Sequence, residues 1–147
     1  MRSKYGNVKT EIEGEVFDSR LEAETFQRIS SVNIPGDLRL KRQVPIVLVP
    51  KSEFFGAIKY ICDFALVRAD EPVLLIESKG VLTDVASLKF KLLAASYPGL
   101  YRGLILVVRP RTRLPRKLKE KACEVSRLTR CLERRLVPIR RMNGLPK

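Results

Sequence analysis

Residues 57–80 read AIKYICDFALVRADEPVLLIESKG, and this stretch decides the fold. It contains two β-rich apolar runs separated by a polar turn, which is the pattern of an antiparallel hairpin. The predicted strands cover residues 57–67 and 73–79, the turn covers residues 69–72, and Gly80 ends the second strand.

The register of this hairpin brings two acidic side chains together. With the turn centred near Asp70, residues whose numbers add up to 140 lie opposite each other, so Asp63 faces Glu77 at a Cβ separation of roughly 5 Å. Two adjacent carboxylates repel each other, and a divalent cation between them relieves that repulsion. Oxygen ligands favour Mg²⁺, with Mn²⁺ as a substitute.

Lys79 completes this candidate site, because it shares a strand face with Glu77. Its ammonium can orient or deprotonate an attacking water, or neutralise charge on a phosphate. The structural alternatives are an ion pair of Asp63 with Lys79 and a solvated stripe of Glu77 and Lys79. The apolar flanks of both strands favour a site, since charges that adjoin buried runs need a partner.

A helix before the hairpin contributes Glu22. Ser19 is predicted to cap a helix that runs to about residue 31. Glu22, Phe26 and Ile29 lie at helical spacing, so the carboxylate can point toward the sheet. The alternative is a capping box, in which Glu22 bonds back to the Ser19 amide. Both interpretations remain open at this point.

The remaining pattern predicts the α/β class, with one mixed sheet and helices packed on it. A strand at residues 43–49 contains Pro45 and is therefore an edge or bulged strand, while an apolar strand at 103–108 is buried. The crossover through residues 73–108 should be right-handed. Thr83 should cap a helix at residues 84–96 with the apolar stripe Val85, Leu88, Leu92 and Ala95.

The two ends of the chain carry weaker predictions. Residues 4–18 indicate a short strand or an ordered arm, and residues 137–147 a short strand or a tail. Between them, residues 116–135 predict a last helix. Its core-facing positions are Leu118, Ala122, Val125, Leu128 and Leu132, and its other face carries Lys117, Lys121, Arg127, Arg130 and Arg134.

The charge of the chain is distributed unevenly. Of a net charge of +13, residues 102–147 carry +12, from 15 Lys and Arg against 3 Asp and Glu. Such a basic end is typical of a polyanion binder whose affinity falls with salt, although a solvated basic surface is the alternative. The preferred DNA contacts, each with a solvated position as its alternative, are Lys89, Lys91, Arg109, Arg111, Arg113, Arg116 and Lys117.

Composition excludes several kinds of site. Histidine is absent, which excludes Ser-His-Asp and Cys-His catalysis and histidine-ligated zinc. The three cysteines, Cys62, Cys123 and Cys131, fit neither a disulfide framework nor a zinc knuckle, and idle thiols are the expectation. The 147 residues predict one domain, residues 1–147. No membrane-spanning run or signal-peptide core is seen, so a cytoplasmic location is expected.

The site residues resemble a known superfamily. Asp63, the Glu77-Ser78-Lys79 triplet after a hairpin and the helical Glu22 resemble the PD-(D/E)XK nucleases, with Cys62 in place of the proline. A closer likeness over roughly residues 4–92 is to an uncharacterised family of small phage nucleases. It is carried by Lys4-Tyr5-Gly6-Asn7, Thr10, residues 17–23, Gln43-Val44-Pro45, Asp63-Phe64, Lys79-Gly80, Thr83, Lys89 and Lys91.

The resemblance implies a restriction-endonuclease-like core, a central mixed β-sheet flanked by helices. It implies Asp63, Glu77 and the Ser78 carbonyl as metal ligands, Glu22 as a direct or water-mediated support, and Lys79 beside the attacking water. The implied activity is that of an Mg²⁺-dependent endodeoxyribonuclease. Small size and basic charge make the chain similar to archaeal and phage-type Holliday junction resolvases, which are homodimers that cut branched four-way DNA.

Other functions remain open at this stage. An endonuclease acting on duplex or single-stranded DNA would have the same site. A non-catalytic basic DNA-binding module would bind without cleaving, and a basic protein could instead bind RNA or an acidic partner. A dimer could form through the edge strand at residues 44–48 or through a helix face, and the sequence favours neither.

Overall fold

The computed structural model describes residues 7–142. Two predicted features extend outside the described residues. These are the part of the family resemblance at Lys4, Tyr5 and Gly6 and the part of the predicted tail at residues 143–147. The elements in chain order are β1 (Thr10–Ile12), β2 (Glu15–Phe17), α1 (Arg20–Ser30), β3 (Arg39–Val49), β4 (Ile58–Arg68), β5 (Glu71–Ser78), α2 (Asp84–Ser96), α3 (Pro98–Gly103), β6 (Ile105–Val108), α4 (Arg116–Lys119), β7 (Ala122–Glu124), a 3₁₀ turn (Val125–Arg127) and α5 (Leu128–Met142).

The central sheet has five strands in the order β3-β4-β5-β6-β7. The first three pair antiparallel and the last three pair parallel, so the sheet is mixed. The parallel step from β5 to β6 runs through α2 and α3, as a crossover connection requires. β3 forms one edge of the sheet, which agrees with the prediction from Pro45. Within residues 7–142, no helix is long and apolar enough to cross a membrane.

Helices cover both faces of this sheet, and each face has its own apolar core. On one face, α1 and α5 pack against sheet residues such as Phe64 and Ile76. On the other face, α2 packs against sheet residues such as Leu75 and Leu106. The predicted α/β class, with a central mixed sheet flanked by helices, is therefore confirmed.

The β4–β5 hairpin has the predicted register. Phe64 pairs with Ile76, and the next two pairs keep the sum of 140 before a bulge beside the turn. One step from the Phe64 pair, on the side away from the turn, lie Asp63 and Glu77. The turn itself is tight, since Ala69 and Asp70 both have positive φ angles.

The alternation of side chains along β4 reverses at Asp63. Cys62 packs in the core under α2, whereas Phe64 packs in the core under α1. A regular strand would place these two residues on the same face. On the neighbouring strand β3, Gln43 has a φ of +50°, in the left-handed region, which marks an irregularity at the same level. Asp63 thus lies where the strand changes faces, between the two cores.

The helices α1 and α2, which flank the candidate site, begin where the sequence predicted. Ser19 Oγ accepts a hydrogen bond from the Glu22 amide at 3.1 Å and caps α1. Thr83 Oγ1 accepts one from the Ala86 amide at 3.1 Å and caps α2, whose bounds match the predicted residues 84–96. These caps fix where each helix begins, and both capping residues lie beside the end of β5.

The predicted apolar stripe of α2 is wrong at three of its four positions, and the exposed ones are Val85, Leu88 and Ala95. The helix buries Phe90 and Leu93 instead. The ring of Phe90 meets Tyr60 edge-on, with the centroids 5.8 Å apart. An aromatic side chain buries more apolar area than an aliphatic one, so Phe90 sets the rotation of α2 on the sheet.

The helix predicted over residues 116–135 is wrong, because four elements replace it, namely α4, β7, the 3₁₀ turn and the start of α5. α4 ends at Lys119, residues 122–124 form β7 beside β6, and α5 begins at Leu128. The buried β6 would otherwise expose an unpaired edge, and β7 covers that edge. The predicted core positions were nevertheless mostly right, since four are buried, Leu118, Val125, Leu128 and Leu132, and Ala122 is half-buried.

Two further predictions for the last third need correction. Lys121, placed on the exposed helix face, is buried, with Nζ 3.5 Å from the Arg102 carbonyl oxygen and 4.2 Å from the centroid of the Tyr101 ring. The strand or tail predicted after residue 136 is wrong as far as Met142, because α5 continues through Pro138 to that residue. The helix persists because its buried face continues to pack beside α1.

Two short elements near the sheet complete the fold. The predicted strand or arm at residues 4–18 contains a hairpin of β1 and β2, closed by Glu13 and Gly14 at positive φ angles. Pro98 and Gly99 end α2 as predicted, but they also begin the short helix α3. β6 is buried along its whole length, as its apolar sequence predicted.

Candidate active site

Asp63 and Glu77 lie side by side where β4 and β5 end their regular pairing. The Asp63 amide donates to Glu77 Oε2 at 3.1 Å, and the Ser78 amide donates to Asp63 Oδ2 at 2.9 Å. Each carboxylate therefore takes a main-chain amide from the other strand in place of a ladder bond. This cross-bracing holds both side chains in fixed positions at the open end of the hairpin.

Glu77 is also held by two side chains. The Tyr60 hydroxyl donates to Glu77 Oε2 at 2.8 Å, and Lys79 Nζ lies 3.3 Å from Glu77 Oε1. Only 5% of Glu77 is exposed, so these partners offset the cost of burying a carboxylate. Lys79 thus shares a face with Glu77, as predicted. Tyr60 is a site residue that the sequence analysis missed.

Glu22 approaches the same place from the first turn of α1. It is 5% exposed, and Gln43 Nε2 donates to its Oε1 at 3.4 Å. An Arg42 guanidinium nitrogen lies 3.8 Å from the same oxygen. The cap of α1 is supplied by Ser19 Oγ, while the Glu22 carboxylate points toward β3. The Glu22 carboxylate thus reaches β3 as predicted, and it also accepts a main-chain hydrogen bond from Asp18 at the start of the helix.

A hydrogen bond between hydroxyls ties α1 to the site strand. Ser78 Oγ donates to Thr25 Oγ1 at 3.0 Å, and Thr25 Oγ1 donates to the Leu21 carbonyl at 2.7 Å. Thr25 is fully buried, so this chain of bonds lies in the interior. The Ser78 side chain consequently fixes the distance between α1, which carries Glu22, and β5, which carries Glu77.

The three carboxylates influence one another electrostatically. Burial, followed by the charges of Glu77 and Glu22, raises the pKa of Asp63 to about 8, against partial lowering by the Ser78 amide and Lys79. Burial and the neighbouring Asp18 charge raise the pKa of Glu22. Bringing negative charges together in a partly dry site favours either a bound proton or a bound cation.

The donor set suits a hard divalent cation. Asp63 and Glu77 supply carboxylate oxygens, and the Ser78 main-chain carbonyl and Glu22 are nearby oxygen donors, the ligand type that Mg²⁺ prefers. Among residues 7–142, no group of three or more His, Cys, Asp or Glu side chains is arranged to hold a metal ion. A site here would therefore rest on two carboxylates and a carbonyl, with Lys79 as the resident counter-charge to Glu77.

A cavity of about 580 Å³ opens beside these residues. It is lined by Ser78, Lys79 and Gly80 at the end of β5, and by Arg20 and Arg109. Two positive residues besides Lys79 therefore line this cavity, which adjoins the carboxylate pair through Ser78 and Lys79 and is not lined by the carboxylates themselves. Arg109 was predicted from the sequence. Arg20 was missed, and its position directly after the Ser19 cap is the signal that identifies it.

Arg109 is anchored by an acidic partner. Its two terminal nitrogens donate to Glu24 at 2.8 and 2.7 Å, and this bidentate pair raises the pKa of Arg109. Arg109 also lines a second and larger groove, of about 1130 Å³, formed by the last third of the chain. Its basic lining residues are Arg109, Arg111, Lys119, Arg127, Arg130, Arg134 and Arg135.

The other predicted contacts to DNA are dispersed. Arg113, Arg116 and Lys117 are exposed but line neither of these two cavities, while on α2 Lys91 is exposed and Lys89 is half-buried. Two predicted contacts, Arg109 and Arg111, are thus joined in the groove by Arg130, Arg134 and Arg135 of α5, which were not among the preferred contacts predicted from the sequence. The groove is lined by β7 and α5, which the sequence had predicted to be parts of a single helix.

The N-terminal three quarters of the chain match a protein family. Residues 2–110 match the family model described as "Protein of unknown function (DUF1064)". The chain belongs to this DUF1064 family. No curated protein and no solved structure matches it. The matched part of the DUF1064 protein includes Glu22, Asp63, Glu77 and Lys79, and it ends at Pro110, before most of the basic groove.

The Tyr60 hydroxyl provides a test of the burial of Glu77 in this DUF1064 protein. Burial raises the pKa of Tyr60 well above its usual value, so the hydroxyl keeps its proton and remains a donor. We expect Tyr60→Phe to lower the free energy of unfolding by about 1–3 kcal/mol, because a buried carboxylate loses one hydrogen bond. Urea denaturation measures this loss.

The matched control is Tyr97→Phe. The Tyr97 hydroxyl also donates one hydrogen bond, to the Val47 carbonyl at 2.9 Å, but this bond is exposed to water. We expect this variant to change the free energy of unfolding by less than about 1 kcal/mol. Equal losses in the two variants would show that Tyr60 does not support a buried charge.

Proposed function

We propose that this chain is a divalent-metal-dependent DNA endonuclease of the PD-(D/E)XK type, with a restriction-endonuclease-like core. The observation that carries the proposal is the convergence of Asp63, Glu77 and Lys79 at one end of β5, with Glu22 buried nearby on α1. A carboxylate pair beside an ammonium, with the pKa of Asp63 raised to about 8 and a cavity lined by the adjoining Ser78 and Lys79, is a combination typical of functional sites.

Each residue has a distinct role in this proposal. Asp63, Glu77 and the Ser78 carbonyl would hold Mg²⁺ or Mn²⁺, with Glu22 contributing directly or through water. When bound, such a cation supplies an activated water and stabilises negative charge on a phosphate. Lys79 Nζ lies 3.3 Å from Glu77 Oε1, and Lys79 lines the cavity. There it is placed to orient a water or to neutralise a phosphate oxygen.

The basic side chains support DNA as the substrate. Arg109 lines both the cavity beside the carboxylates and the larger groove, so the positive surface is continuous from one to the other. The groove carries seven Lys and Arg against two Glu. A phosphate backbone lying in this groove would reach the smaller cavity at Arg109, and that cavity is lined by Ser78 and Lys79, the two residues that follow Glu77. We propose branched four-way DNA as the preferred substrate and a homodimer as the active form, because resolution requires two cuts.

Cleavage of defined DNA molecules tests the proposal. The protein is incubated with an end-labelled four-way junction, a matched duplex and a single strand, in Mg²⁺, in Mn²⁺ and in chelator. Paired symmetric nicks in the junction, present only with metal, are the expected result. Cutting of duplex or single strand alone would leave an endonuclease without the junction preference, and no cutting in either metal would overturn the enzyme proposal.

Lys79→Ala should reduce cleavage by about 100- to 1000-fold while DNA binding is retained, since Lys79 acts on the reacting phosphate or water. Lys59→Ala is the matched control, because Lys59 is an exposed lysine on β4 that lines neither cavity. Rates are measured in single-turnover reactions and binding by fluorescence anisotropy. Equal activity of the two variants would remove Lys79 from the proposed machinery.

A non-catalytic DNA-binding module is the second candidate. It is favoured by the fact that protein donors already satisfy Glu77, namely the Asp63 amide, the Tyr60 hydroxyl and Lys79. In that case the charged cluster would be structural. The module would bind DNA with a strong salt dependence and cut none of the three substrates.

Substitution of Glu22 tests whether its carboxylate supports a metal site or only the helix start. We expect Glu22→Gln to raise the Mg²⁺ concentration required for half-maximal cleavage by roughly tenfold, because a carboxylate beside a metal site is lost. Ser19→Ala is the matched control on the same helix turn. It should cost about 1 kcal/mol of stability through loss of the cap and leave the Mg²⁺ requirement unchanged. The opposite pattern, with the Mg²⁺ requirement moved only by Ser19→Ala, would make Glu22 part of the cap.

A further inference from the structure

Two cysteines from different elements lie together in the wall of the basic groove. Cys123 is in β7 and Cys131 is in the first turn of α5, eight residues later. Both thiols are free and half-buried, and both line the groove of about 1130 Å³. The third cysteine, Cys62, is fully buried in the sheet and lines neither cavity described above. The chain thus separates an accessible cysteine pair from a single buried thiol.

The two groove thiols are chemically unequal. A hydrogen bond from Cys123, together with the charges of Arg135 and Arg134, lowers the pKa of Cys131 to about 6. The same hydrogen bond, followed by burial, raises the pKa of Cys123, whose Sγ also lies 3.5 Å from the Glu124 carbonyl oxygen. The hydrogen bond and the two arginines therefore favour the thiolate form of Cys131, with the Cys123 thiol as its donor.

Charged neighbours face both sulfurs from the surrounding elements. Arg127 and Glu124 act on Cys123, and Arg134 and Arg135 act on Cys131. Three cations against one carboxylate leave a positive environment around the pair. A low-pKa, partly exposed thiolate next to a second thiol is the arrangement found in redox-sensitive cysteines.

We propose that Cys123 and Cys131 form a redox-active pair that a hydroperoxide converts to an intramolecular disulfide and that a small thiol reduces again. The bond would tie β7, the last strand of the sheet, to α5. This inference does not depend on the nuclease proposal, because it concerns a different set of residues and a different reaction.

The reaction balances with hydrogen peroxide as the oxidant. The Cys131 thiolate attacks one peroxide oxygen, the O–O bond breaks, and the released hydroxide takes a proton to become water. The resulting sulfenic acid is attacked by Cys123 sulfur, which gives up its proton as the S–S bond forms and the S–O bond breaks, releasing a second water. Two thiols and one peroxide thus give one disulfide and two waters, and thiol–disulfide exchange reverses the change.

Tryptic mass spectrometry of the full chain tests the inference, because the three cysteines fall in separate peptides, residues 60–68, 122–127 and 131–134. The reduced protein is treated with an equimolar amount of hydrogen peroxide, unfolded in urea with N-ethylmaleimide present so that every remaining thiol is blocked, and digested without reductant. We expect the peptides 122–127 and 131–134 to be joined, the peptide 60–68 to carry the maleimide, and dithiothreitol to restore both free thiols. Cys62 serves as the internal control, since burial raises its pKa.

The pH profile of alkylation shows whether Cys123 lowers the pKa of Cys131 or the two thiols titrate independently. In the wild type, the rate of Cys131 alkylation by iodoacetamide should rise with a midpoint near pH 6. In Cys123→Ser the midpoint should move toward the value of a free thiol, about 8.5. Serine retains a hydroxyl donor, whereas alanine has none, so Cys123→Ala is included and should give the larger shift.

Two results would overturn the proposal. One is the absence of the joined peptides, with maleimide or over-oxidised sulfur on both groove cysteines after peroxide. The other is a disulfide that contains Cys62 or links two chains as the main product. Both are read from the wild-type protein, so the outcome does not depend on whether a variant folds.

Discussion

Asp63→Asn is expected to abolish cleavage and, at the same time, to stabilise the metal-free protein. Cleavage should fall by roughly three orders of magnitude or more, because a carboxylate proposed to hold the metal is lost. The free energy of unfolding in chelator should rise by about 1–3 kcal/mol at pH 8, since the buried charge that Glu77 and Glu22 repel is removed. Asparagine keeps an oxygen to accept the Ser78 amide.

The pH dependence of the stability gained by Asp63→Asn follows from the direction in which the pKa of Asp63 is shifted. The pKa of Asp63 is raised from its usual 3.8 to about 8, so the folded protein retains a proton that the unfolded chain has lost. Asp63 therefore lowers stability progressively as the pH rises from 3.8 toward 8. The advantage of Asp63→Asn should be absent near pH 3.5, grow through neutrality and level off above pH 8. Urea titrations in chelator at several pH values measure it.

Asp70→Asn is the matched control for this prediction. Asp70 is an exposed carboxylate in the β4–β5 turn, and Lys41, followed by Arg39, lowers its pKa. Removing its charge should therefore destabilise the protein slightly at neutral pH, with the opposite sign. If Asp63→Asn also destabilises the metal-free protein at pH 8, the carboxylate is a satisfied structural group and the active-site proposal loses its main support.

Added Mg²⁺ should make the wild type more stable than Asp63→Asn, the reverse of the order expected in chelator. Mg²⁺ that binds only the folded state stabilises by RT ln(1 + [Mg²⁺]/Kd), which is about 2.7 kcal/mol at one hundred times Kd. Wild type should gain this increment and Asp63→Asn should not. Thermal melts in chelator and in a series of Mg²⁺ concentrations that spans Kd give the comparison. An equal gain in both proteins would place the bound ion elsewhere.

The hairpin and its carboxylates were predictable because their constraints are local. A strand pair joined by a short turn has few possible registers, and the turn near Asp70 fixes one of them. That register carries Asp63 to Glu77, and side-chain alternation carries Lys79 to the same face. Asp63, Glu77 and Lys79 could therefore be predicted as a site from residues 57–80 alone. The hydrogen bond from Tyr60 could not, because it depends on the reversal of faces at Asp63.

The errors arose where distant segments decide the structure. Helical spacing on α2 fits either Val85 with Leu88 or Phe90 with Leu93, and the contact of Phe90 with Tyr60 selects the second. In the same way, β7 exists because β6 needs a partner on its open edge, which no pattern within residues 116–135 reveals. Periodicity identifies which residues are buried more reliably than it identifies the element that buries them.

The family match and the fold have different boundaries. The match ends at residue 110, yet the sheet continues to β7, and α5 shares a core with α1 and Phe64. Since α1 carries Glu22, the packing of α5 also supports the candidate site. The basic last third is thus built into the core that holds the site, and its removal should unfold what remains.

Leu132→Ala is expected to lower the free energy of unfolding by about 2–5 kcal/mol, a large fraction of the stability of a small protein. Leu132 is 1% exposed in the core between α5 and the sheet, and truncation leaves a cavity there. Val137→Ala is the matched control on the same helix, since Val137 is 44% exposed and alanine suits a helix. It should change stability by less than about 0.5 kcal/mol. Urea denaturation, monitored by circular dichroism, gives both values. A second, separate transition in either protein would show that α5 and the strands of residues 58–78 unfold independently, which would contradict the shared core.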